Sequence, residues 1–408
     1  MKTRLSLLVL LIVSLSALTM MPALANQQDL RARFRQDDER KFLRKGKDSI
    51  PGRYIVVLDV DAAGKSGDLF TAARMTSNLA AEYGGVPDNI YAFAINGFSA
   101  EMSEEQAMRL SSDPRVKYVE EDSLMSANVS QSNPPWGLDR IGQRDLPLNQ
   151  VYSYTTTGAG VNVYIIDTGI RRTHTQFGGR AFVGFDAVGD GQNTNDCNGH
   201  GTHVSGTVGG STYGVAKGVR LFAVRVLNCS GSGTNSGVIA GVDWVTANHI
   251  SPAVANMSLG GGASTALDTA VQNSIASGVT YAVAAGNSNT NASNSSPARV
   301  PEAITVGSST INDARSSFSN FGSVVDIFAP GSSILSSWNT SDTATATLSG
   351  TSMATPHVAG VAARFLQSNP GASPASVRNE IVNQATLNHL SGIPSGTANR
   401  LLFWSSSR

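Results

Sequence analysis

The fold of this chain is decided by the stretch Val163-Tyr-Ile-Ile-Asp-Thr-Gly169, an apolar, β-branched run that ends at an acidic residue and a glycine. Short runs of this kind suit strands that are buried on both faces of a parallel sheet. Residues 129–408 repeat the pattern, with segments of helical spacing between the repeats. This alternation predicts an α/β domain with a parallel sheet. The strand-like runs are 161–166, 221–227, 253–257, 279–283 and 303–306, and the helical segments are 238–249, 265–276, 352–367 and 376–384.

Two further boxes add a base and a nucleophile to this acid: Asn198-Gly-His-Gly-Thr-His203 and Gly350-Thr-Ser-Met-Ala-Thr-Pro356. The order is Asp167, His200, Ser352. Reactive groups in open parallel sheets gather at the carboxyl ends of strands, and Asp167 directly follows one. Ser352 is expected at a helix N-terminus, which favours developing negative charge. Each residue alone has a plain structural interpretation, as a turn Asp, a structural His and an N-capping Ser, but the three boxes in this order indicate nucleophilic catalysis.

These boxes resemble those of the subtilisin-like serine proteases (subtilases), and residues 134–139, Pro-Pro-Trp-Gly-Leu-Asp, resemble the mature start of the proteinase K and aqualysin-like branch. The resemblance implies a doubly wound, mostly parallel sheet and a serine endopeptidase. His200 would take the Ser352 proton, Ser352 would attack a peptide carbonyl, and Asp167 would orient the imidazolium. Asn287, in Ala-Ala-Gly-Asn, matches the family's oxyanion amide, with the Ser352 N–H as the second donor.

Three other interpretations use the same residues. A zinc site at His200 and His203 is disfavoured, because His-Gly-Thr-His lacks the Glu and the spacing of a His-Glu-x-x-His site; His203 is expected to support the helix instead. A catalytically silent binding protein on the same scaffold would predict a broken triad, yet all members are present. An esterase would use the same triad, but the Gly-x-Ser-x-Gly signature is absent, since Ala354 follows Met353.

Substrate is expected to bind as an added strand whose backbone hydrogen bonds ignore side-chain identity. The resemblance places it between two glycine-containing segments, 231–233 and 258–260, and makes 258–260 and 284–286 the walls of the first specificity pocket. Small, uncharged walls predict broad specificity with a preference for apolar or aromatic side chains. The substrate-binding residues are therefore expected to be Gly231, Ser232, Gly233, Ser258, Leu259, Gly260, Ala284, Ala285 and Gly286.

The chain has two cysteines, Cys197 and Cys229. An even pair in an exported protein is a plausible disulfide, although two unrelated thiols are the alternative. Cys197 precedes the His box and Cys229 follows the strand 221–227, so the two could meet beside the site. In the chain-entropy model a bridge over such a loop stabilises the fold by roughly 3–4 kcal/mol.

The resemblance also implies structural Ca²⁺, held by the carbonyls of Pro301 and Ala303 and the carboxylate of Asp326. Ligation by oxygen alone suits calcium, whereas a solvated surface charge is the alternative for Asp326. A second family site, near the mature N-terminus, is expected to be weak or absent, because Gly142 and Val151 replace ligands there. No cofactor is expected for catalysis.

The N-terminus has the pattern of an export signal. Lys2 and Arg4 precede the apolar run 5–18, and Ala23-Leu-Ala25 offers small residues for cleavage. The alternative is a short membrane anchor, but this run is brief for a hydrocarbon layer of about 30 Å. Residues 1–25 are therefore predicted to be a signal peptide, and the mature protein to be secreted and extracellular.

Residues 26–128 are predicted to be a propeptide. The segment 26–48 is rich in charge, and 50–128 has the element order β-α-β-β-α-β of a small α+β, ferredoxin-like unit. This unit resembles the inhibitory propeptide of the same protease family, whereas an independent ligand-binding domain is the alternative. We expect self-cleavage near Asn128–Val129, which leaves 129–408 as the catalytic domain.

Composition bounds the partners. The formal net charge is zero and charged residues make up 15% of the chain, which excludes the strongly basic surface typical of nucleic-acid binding. The expected partners are protein and peptide substrates and the chain's own propeptide as an intramolecular inhibitor. We expect a monomer that binds neither nucleic acid nor membrane.

Overall fold

A computed structural model describes residues 41–45, 49–59, 68–123 and 129–406. The predicted signal peptide, most of the charged leader and the predicted cleavage position Asn128 lie outside these ranges. The chain divides into two compact units, Met1–Met125 and Ser126–Arg408. Across the described ranges, no helix has both the length and the apolar character needed to cross a bilayer.

The described part of the first unit contains a five-stranded sheet and the two helices that pack on it. Its strand order is β1-β5-β2-β4-β3, and all neighbours are antiparallel except the parallel pair β1 and β5. The predicted order β-α-β-β-α-β is confirmed, with the short β1 added in front. The elements are β1 (Phe42–Leu43), β2 (Ser49–Leu58), α1 (Leu69–Tyr83), β3 (Val86–Tyr91), β4 (Gly97–Glu101), α2 (Glu104–Ser111) and β5 (Val116–Ser123).

The helices of this unit begin where the sequence supplies caps. Asp68 accepts hydrogen bonds from the first backbone N–H groups of α1, and Ser103 forms a reciprocal capping box with Gln106 at α2. Both helices bury apolar side chains against the sheet in one core with Val56, Phe98 and others. The unit therefore has a hydrophobic core of its own.

The second unit is built on a nine-stranded sheet of order β19-β20-β16-β15-β13-β11-β8-β10-β9. Its neighbours are parallel except for the short antiparallel pair β19 and β20. The elements are β6 (Val129–Ser132), α3 (Trp136–Ile141), β7 (Val151–Tyr154), β8 (Asn162–Asp167), β9 (Ala181–Asp186), α4 (His200–Gly209), β10 (Arg220–Arg225), α5 (Asn235–Asn248), β11 (Ala253–Met257), β12 (Gly261–Gly262), α6 (Thr265–Ala276), β13 (Thr280–Ala284), β14 (Ser295–Ser296), β15 (Ile304–Ser309), β16 (Ile327–Pro330), β17 (Ile334–Ser337), β18 (Thr345–Leu348), α7 (Thr351–Ser368), α8 (Pro374–Gln384), β19 (Thr386–Leu387) and β20 (Arg400–Leu401).

Helices cover both faces of this sheet, as β8 shows. Val163 and Ile165 belong to the core that contains α4 and α7, whereas Tyr164 and Ile166 belong to the core that contains α5 and α6. Successive side chains of a strand point to opposite faces, so a strand covered on both sides must be apolar throughout. The prediction of a doubly wound α/β sheet is confirmed.

The helices of the second unit start in two different ways. Thr234, Ser264 and Ser373 cap α5, α6 and α8 with their side-chain oxygens, as is usual for these residue types. By contrast, α4 and α7 start after Gly199 and Gly350, which have no side chain to cap the helix. The N-terminal N–H groups of α4 and α7 therefore depend on partners from elsewhere.

Candidate active site

Asp167 and His200 lie in direct contact. Asp167 is the last residue of β8 and is fully buried, and its Oδ1 is 2.7 Å from Nδ1 of His200, the first residue of α4. The backbones of the two elements approach closely, since a Cβ on Gly201 would collide with the carbonyl oxygen of Gly169. A glycine at position 201 is therefore required for the Asp167–His200 distance.

His200 and His203 are adjacent on α4 but differ in electrostatics. Burial lowers the pKa of His200, but the charge and hydrogen bond of Asp167, with a smaller contribution from Asp196, raise this pKa above its ordinary value. Burial lowers the pKa of His203 to about 4. The Nε2 of His203 lies 3.0 Å from the carbonyl oxygen of Ile334 and its side chain is shielded from solvent. His200 is the histidine placed for acid–base chemistry.

Ser352 is the second residue of α7, and its hydroxyl donates to the carbonyl oxygen of Ser258 at 3.0 Å. Within the described part of the chain, no hydrogen bond joins Ser352 to His200. Catalytic hydrogen bonds are often formed only when substrate is bound.

The Ser258 hydroxyl hydrogen-bonds to a helix carbonyl oxygen that Pro356 cannot serve. Pro356 lacks an N–H, so the carbonyl oxygen of Ser352, four residues earlier, has no partner within the helix. The Ser258 hydroxyl donates to this oxygen at 2.8 Å and accepts from the buried amide of Asn256 at 2.9 Å. These bonds tie the end of β11 to the start of α7.

Asn287 is held from the side opposite its amide nitrogen. Its Oδ1 accepts from the N–H of Thr351 at 2.8 Å and from the Thr351 hydroxyl at 2.9 Å. The Nδ2 lies near the helix start, 3.5 Å from where a Cβ on Gly350 would be. Thr351 was missed by the sequence reasoning; its only signal was its place directly before Ser352.

Two adjoining clefts contain the predicted substrate residues. The first, of about 530 Å³, is lined by His200 and by residues 231–233 and 258–260, together with the apolar side chains of Leu227 and Val238. The second, of about 320 Å³, is lined by residues 284–287 and Ser352, and its described lining has no charged side chain. All nine predicted substrate residues line one cleft or the other.

The predicted disulfide is present. Cys197 and Cys229 are bonded, and the side-chain amide of Asn198 donates to the carbonyl oxygen of Cys229 at 3.0 Å. The bridge therefore joins the loop before His200 to the segment before Gly231.

The predicted calcium residues offer the right atoms but not a free charge. Two backbone carbonyls and a carboxylate are the oxygen donors that Ca²⁺ prefers. However, Asp326 accepts a hydrogen bond from the guanidinium of Arg378 through Oδ1 and from the N–H of Thr305 through Oδ2. As described, the site does not fit the ion, because Arg378 already neutralises the carboxylate. The calcium site stays a prediction.

Comparison with known proteins places this chain in a family. The subtilase family model matches residues 158–400, and the peptidase inhibitor I9 model matches residues 53–128. An extracellular serine proteinase of Thermus sp. (strain Rt41A) is 50% identical over 370 residues, which cover 87% of this chain and 90% of the relative. A cuticle-degrading protease of Metarhizium anisopliae is 43% identical over 370 residues, with coverages of 89% and 92%.

A solved structure of a cold adapted subtilisin-like serine proteinase is also similar. It is 59% identical, with a TM-score of 0.65, and the match covers 67% of this chain and 98% of that one. The chain belongs to the subtilase family. It is a serine endopeptidase with an I9 propeptide inhibitor domain.

Proposed function

We propose that this chain is a secreted endopeptidase, made as a zymogen, that cleaves peptide bonds through an acyl-enzyme on Ser352. The observation that supports this most is the contact of 2.7 Å between Asp167 and His200 at a cleft whose continuation reaches Ser352 and Asn287. A buried acid, a partly exposed imidazole and a serine at a helix start are the parts that acyl transfer needs.

The proposed mechanism begins with proton transfer. Because Nδ1 of His200 is hydrogen-bonded to Asp167, Nε2 is the nitrogen that takes the Ser352 proton. The Ser352 oxygen attacks the peptide carbonyl carbon, and His200 returns the proton to the leaving amine as the C–N bond breaks. Water, activated in the same way, then hydrolyses the ester. Asp167 orients the imidazole and stabilises its charged form.

The tetrahedral oxyanion is proposed to lie between Nδ2 of Asn287 and the N–H of Ser352. Thr351 holds the other end of the Asn287 amide, so its nitrogen is already oriented before reaction. Among the described hydrogen bonds, none uses the N–H of Ser352. Donors already in place contribute most where charge develops.

Specificity is proposed to be broad, with an apolar or aromatic preference. Substrate would add as a strand between residues 231–233 and 258–260. Its first side chain would enter the cleft of about 320 Å³, whose uncharged lining does not favour a cation. Cleavage of an unbiased peptide library tests this, and predominant cleavage after Lys or Arg would contradict it.

We further propose that 1–25 is a signal peptide, 26–128 a propeptide and 129–408 the catalytic domain. The inhibitor match at 53–128 and the unit boundary after Met125 support the second division. Self-cleavage is proposed near Asn128–Val129. The extracellular relative supports export. We also propose a monomer whose partners are proteins and peptides, not nucleic acid or membrane.

A serine-directed phosphonate tests the central claim. The processed protein is expected to gain one adduct, located on Ser352 by peptide mapping, and to turn over peptide amides. Ser352→Ala is the matched control, expected to gain no adduct and to stay unprocessed. Absence of an adduct on the wild-type protein would reject the protease function, and turnover of simple esters without amides would favour an esterase.

A further inference from the structure

Near the site, the carboxylate of Asp196 accepts hydrogen bonds through both of its oxygens. It lies in the loop between β9 and α4 and is 3% exposed. Its Oδ1 accepts from the Thr168 hydroxyl at 2.9 Å, the N–H of Asn198 at 3.0 Å and the N–H of Gly199 at 2.8 Å. Its Oδ2 accepts from the N–H and hydroxyl of Thr202, at 2.9 and 2.6 Å. Within the described ranges no Lys or Arg pairs with it.

These bonds join the two elements that carry the acid and the base. Thr168 directly follows Asp167, and its hydroxyl both donates to Asp196 and accepts from the N–H of Gly201 at 2.9 Å. Thr202 lies in the first turn of α4, two residues after His200. A single carboxylate therefore connects the chain after Asp167 to the start of the His200 helix.

A carboxylate suits this position for two reasons. Gly199, the residue before α4, has no side chain to cap the helix, and negative charge is favoured at helix N-termini. Every group around Asp196 is a donor, so the site needs an acceptor with lone pairs on both oxygens. An amide would turn one NH₂ group toward donors and leave buried N–H or O–H groups unpaired.

We propose that Asp196 is a positioning residue that holds His200 against Asp167 in the geometry needed for proton transfer with Ser352. This rests on the proposed function, because it concerns the same proton transfer. Asp196 touches neither substrate nor the reacting atoms in this scheme. It acts through Thr168 and through the first turn of α4.

The charge of Asp196 has a second, separable consequence. The charged or titratable groups that act on the imidazole are Asp167, Asp196 and His203. The negative charge of Asp196 adds to that of Asp167 in raising the pKa of His200. Removing it lowers this pKa, so the acid limb of kcat/KM moves to lower pH. A merely structural role of Asp196 would not move this limb.

The first test is Asp196→Asn in the processed enzyme, with active sites counted by phosphonate titration. We expect kcat per titrated site to fall about 10- to 100-fold, as misplaced catalytic groups do, while KM changes little. The acid limb should move to lower pH. Wild-type kcat per site with an unmoved limb would overturn the proposal.

Thr168 gives a matched pair that keeps the carboxylate, for the case in which Asp196→Asn does not fold or mature. Thr168→Val removes the bridging hydroxyl at nearly constant shape and is expected to lower kcat without moving the acid limb much. Thr168→Ser restores the hydroxyl and should recover most of that rate. Equal kcat for the two variants would overturn the proposal. Failure of the wild-type enzyme to gain a phosphonate adduct would instead reject the proposed function.

Discussion

The N-termini of α4 and α7 start alike but are completed differently. Both helices follow a glycine, which has no side chain with which to cap them. At α4 the carboxylate of Asp196 accepts the N–H groups of Gly199 and Thr202. At α7 the first N–H goes to Asn287, and no described bond uses the next one, from Ser352. The N-terminus of α4 is therefore paired with a carboxylate of the protein itself, whereas the N-terminus of α7 keeps the N–H of Ser352 available.

The difference matches the charge that each terminus must stabilise. The pair at α4 includes the buried carboxylate of Asp167. A buried charge that loses its partner costs several kcal/mol of stability, so its partners have to be in place in the folded protein. This half of the site is therefore complete before substrate arrives. The oxyanion proposed at α7 would exist only during reaction, so its donors are useful only while they stay free of other partners. The Ser352 hydroxyl donates to the carbonyl oxygen of Ser258, and it has to rotate away from this oxygen before it can donate to His200.

The largest effect is expected from breaking the pair at α4 with Asp167→Asn. An amide can donate to Nδ1 of His200 and so favour the wrong tautomer, which has no free Nε2 lone pair to take the Ser352 proton. We expect kcat to fall by about 10⁴-fold with KM nearly unchanged. Steady-state kinetics per phosphonate-titrated site measures this. A loss below tenfold would contradict a pre-assembled pair.

The next effect is expected at the N-terminus of α7, with Asn287→Ala. Loss of one oxyanion donor should lower kcat by about 10²–10³-fold, a magnitude known from subtilisin itself, and leave KM nearly unchanged. Asn294→Ala, at an exposed asparagine at the end of the short 3-10 helix Ala292–Asn294, is the control and should behave as wild type. A rise in KM with constant kcat would show that Asn287 binds the ground state instead.

The α/β fold was predictable because its strands are buried on both faces. Such strands must be apolar throughout, so the run at 253–257 predicted β11 with its observed bounds. The strand order was not predictable from periodicity, because β8 lies beside β10 and β11, which are distant in sequence. The resemblance to the family implied a doubly wound, mostly parallel sheet, and the order itself comes from the structure.

The site was predictable where chemistry dictates residue type and not where partners are distant. Asp167 and His200 stood out by type and flanking glycines. Asp196 did not, because its role depends on Thr168, 28 residues away, and an acid before a helix is ordinary. The hydrogen bond that the Ser352 hydroxyl donates is accepted by the backbone of Ser258, and no pattern of side chains in the sequence reveals a backbone acceptor.

A smaller, pH-dependent effect separates the two histidines of α4. The pKa of His203 falls from 6.5 to about 4, so below pH 6.5 the unfolded chain binds a proton that the folded one does not. Stability is therefore lost as pH falls from 6.5 to 4, by about 3 kcal/mol for this group. Denaturant unfolding of phosphonate-inactivated enzyme should show it, and His203→Gln should reduce the loss.

His200 has the opposite sign, because its pKa is raised by folding. Its contribution is present below pH 6.5 and is lost as pH rises through the raised value. The variant His203→Gln should therefore flatten the stability profile only on the acid side. An equally steep acid loss in this variant would contradict the assignment, since His357, with a pKa of about 4, would not account for the full slope.

The smallest effect concerns Ca²⁺ at Asp326. Arg378 occupies the carboxylate, so Ca²⁺ can bind only by displacing the guanidinium. In EDTA, Arg378→Ala should lower the free energy of unfolding by roughly 1–2 kcal/mol, which corresponds to a Tm decrease of a few degrees. The difference in stability between variant and wild type should become smaller in Ca²⁺. Arg299→Ala removes a pair of similar exposure with Asp268 and should cost the same with or without the ion. A loss of stability in Arg378→Ala that Ca²⁺ leaves unchanged would mean that Ca²⁺ does not bind at Asp326 even when the guanidinium is removed.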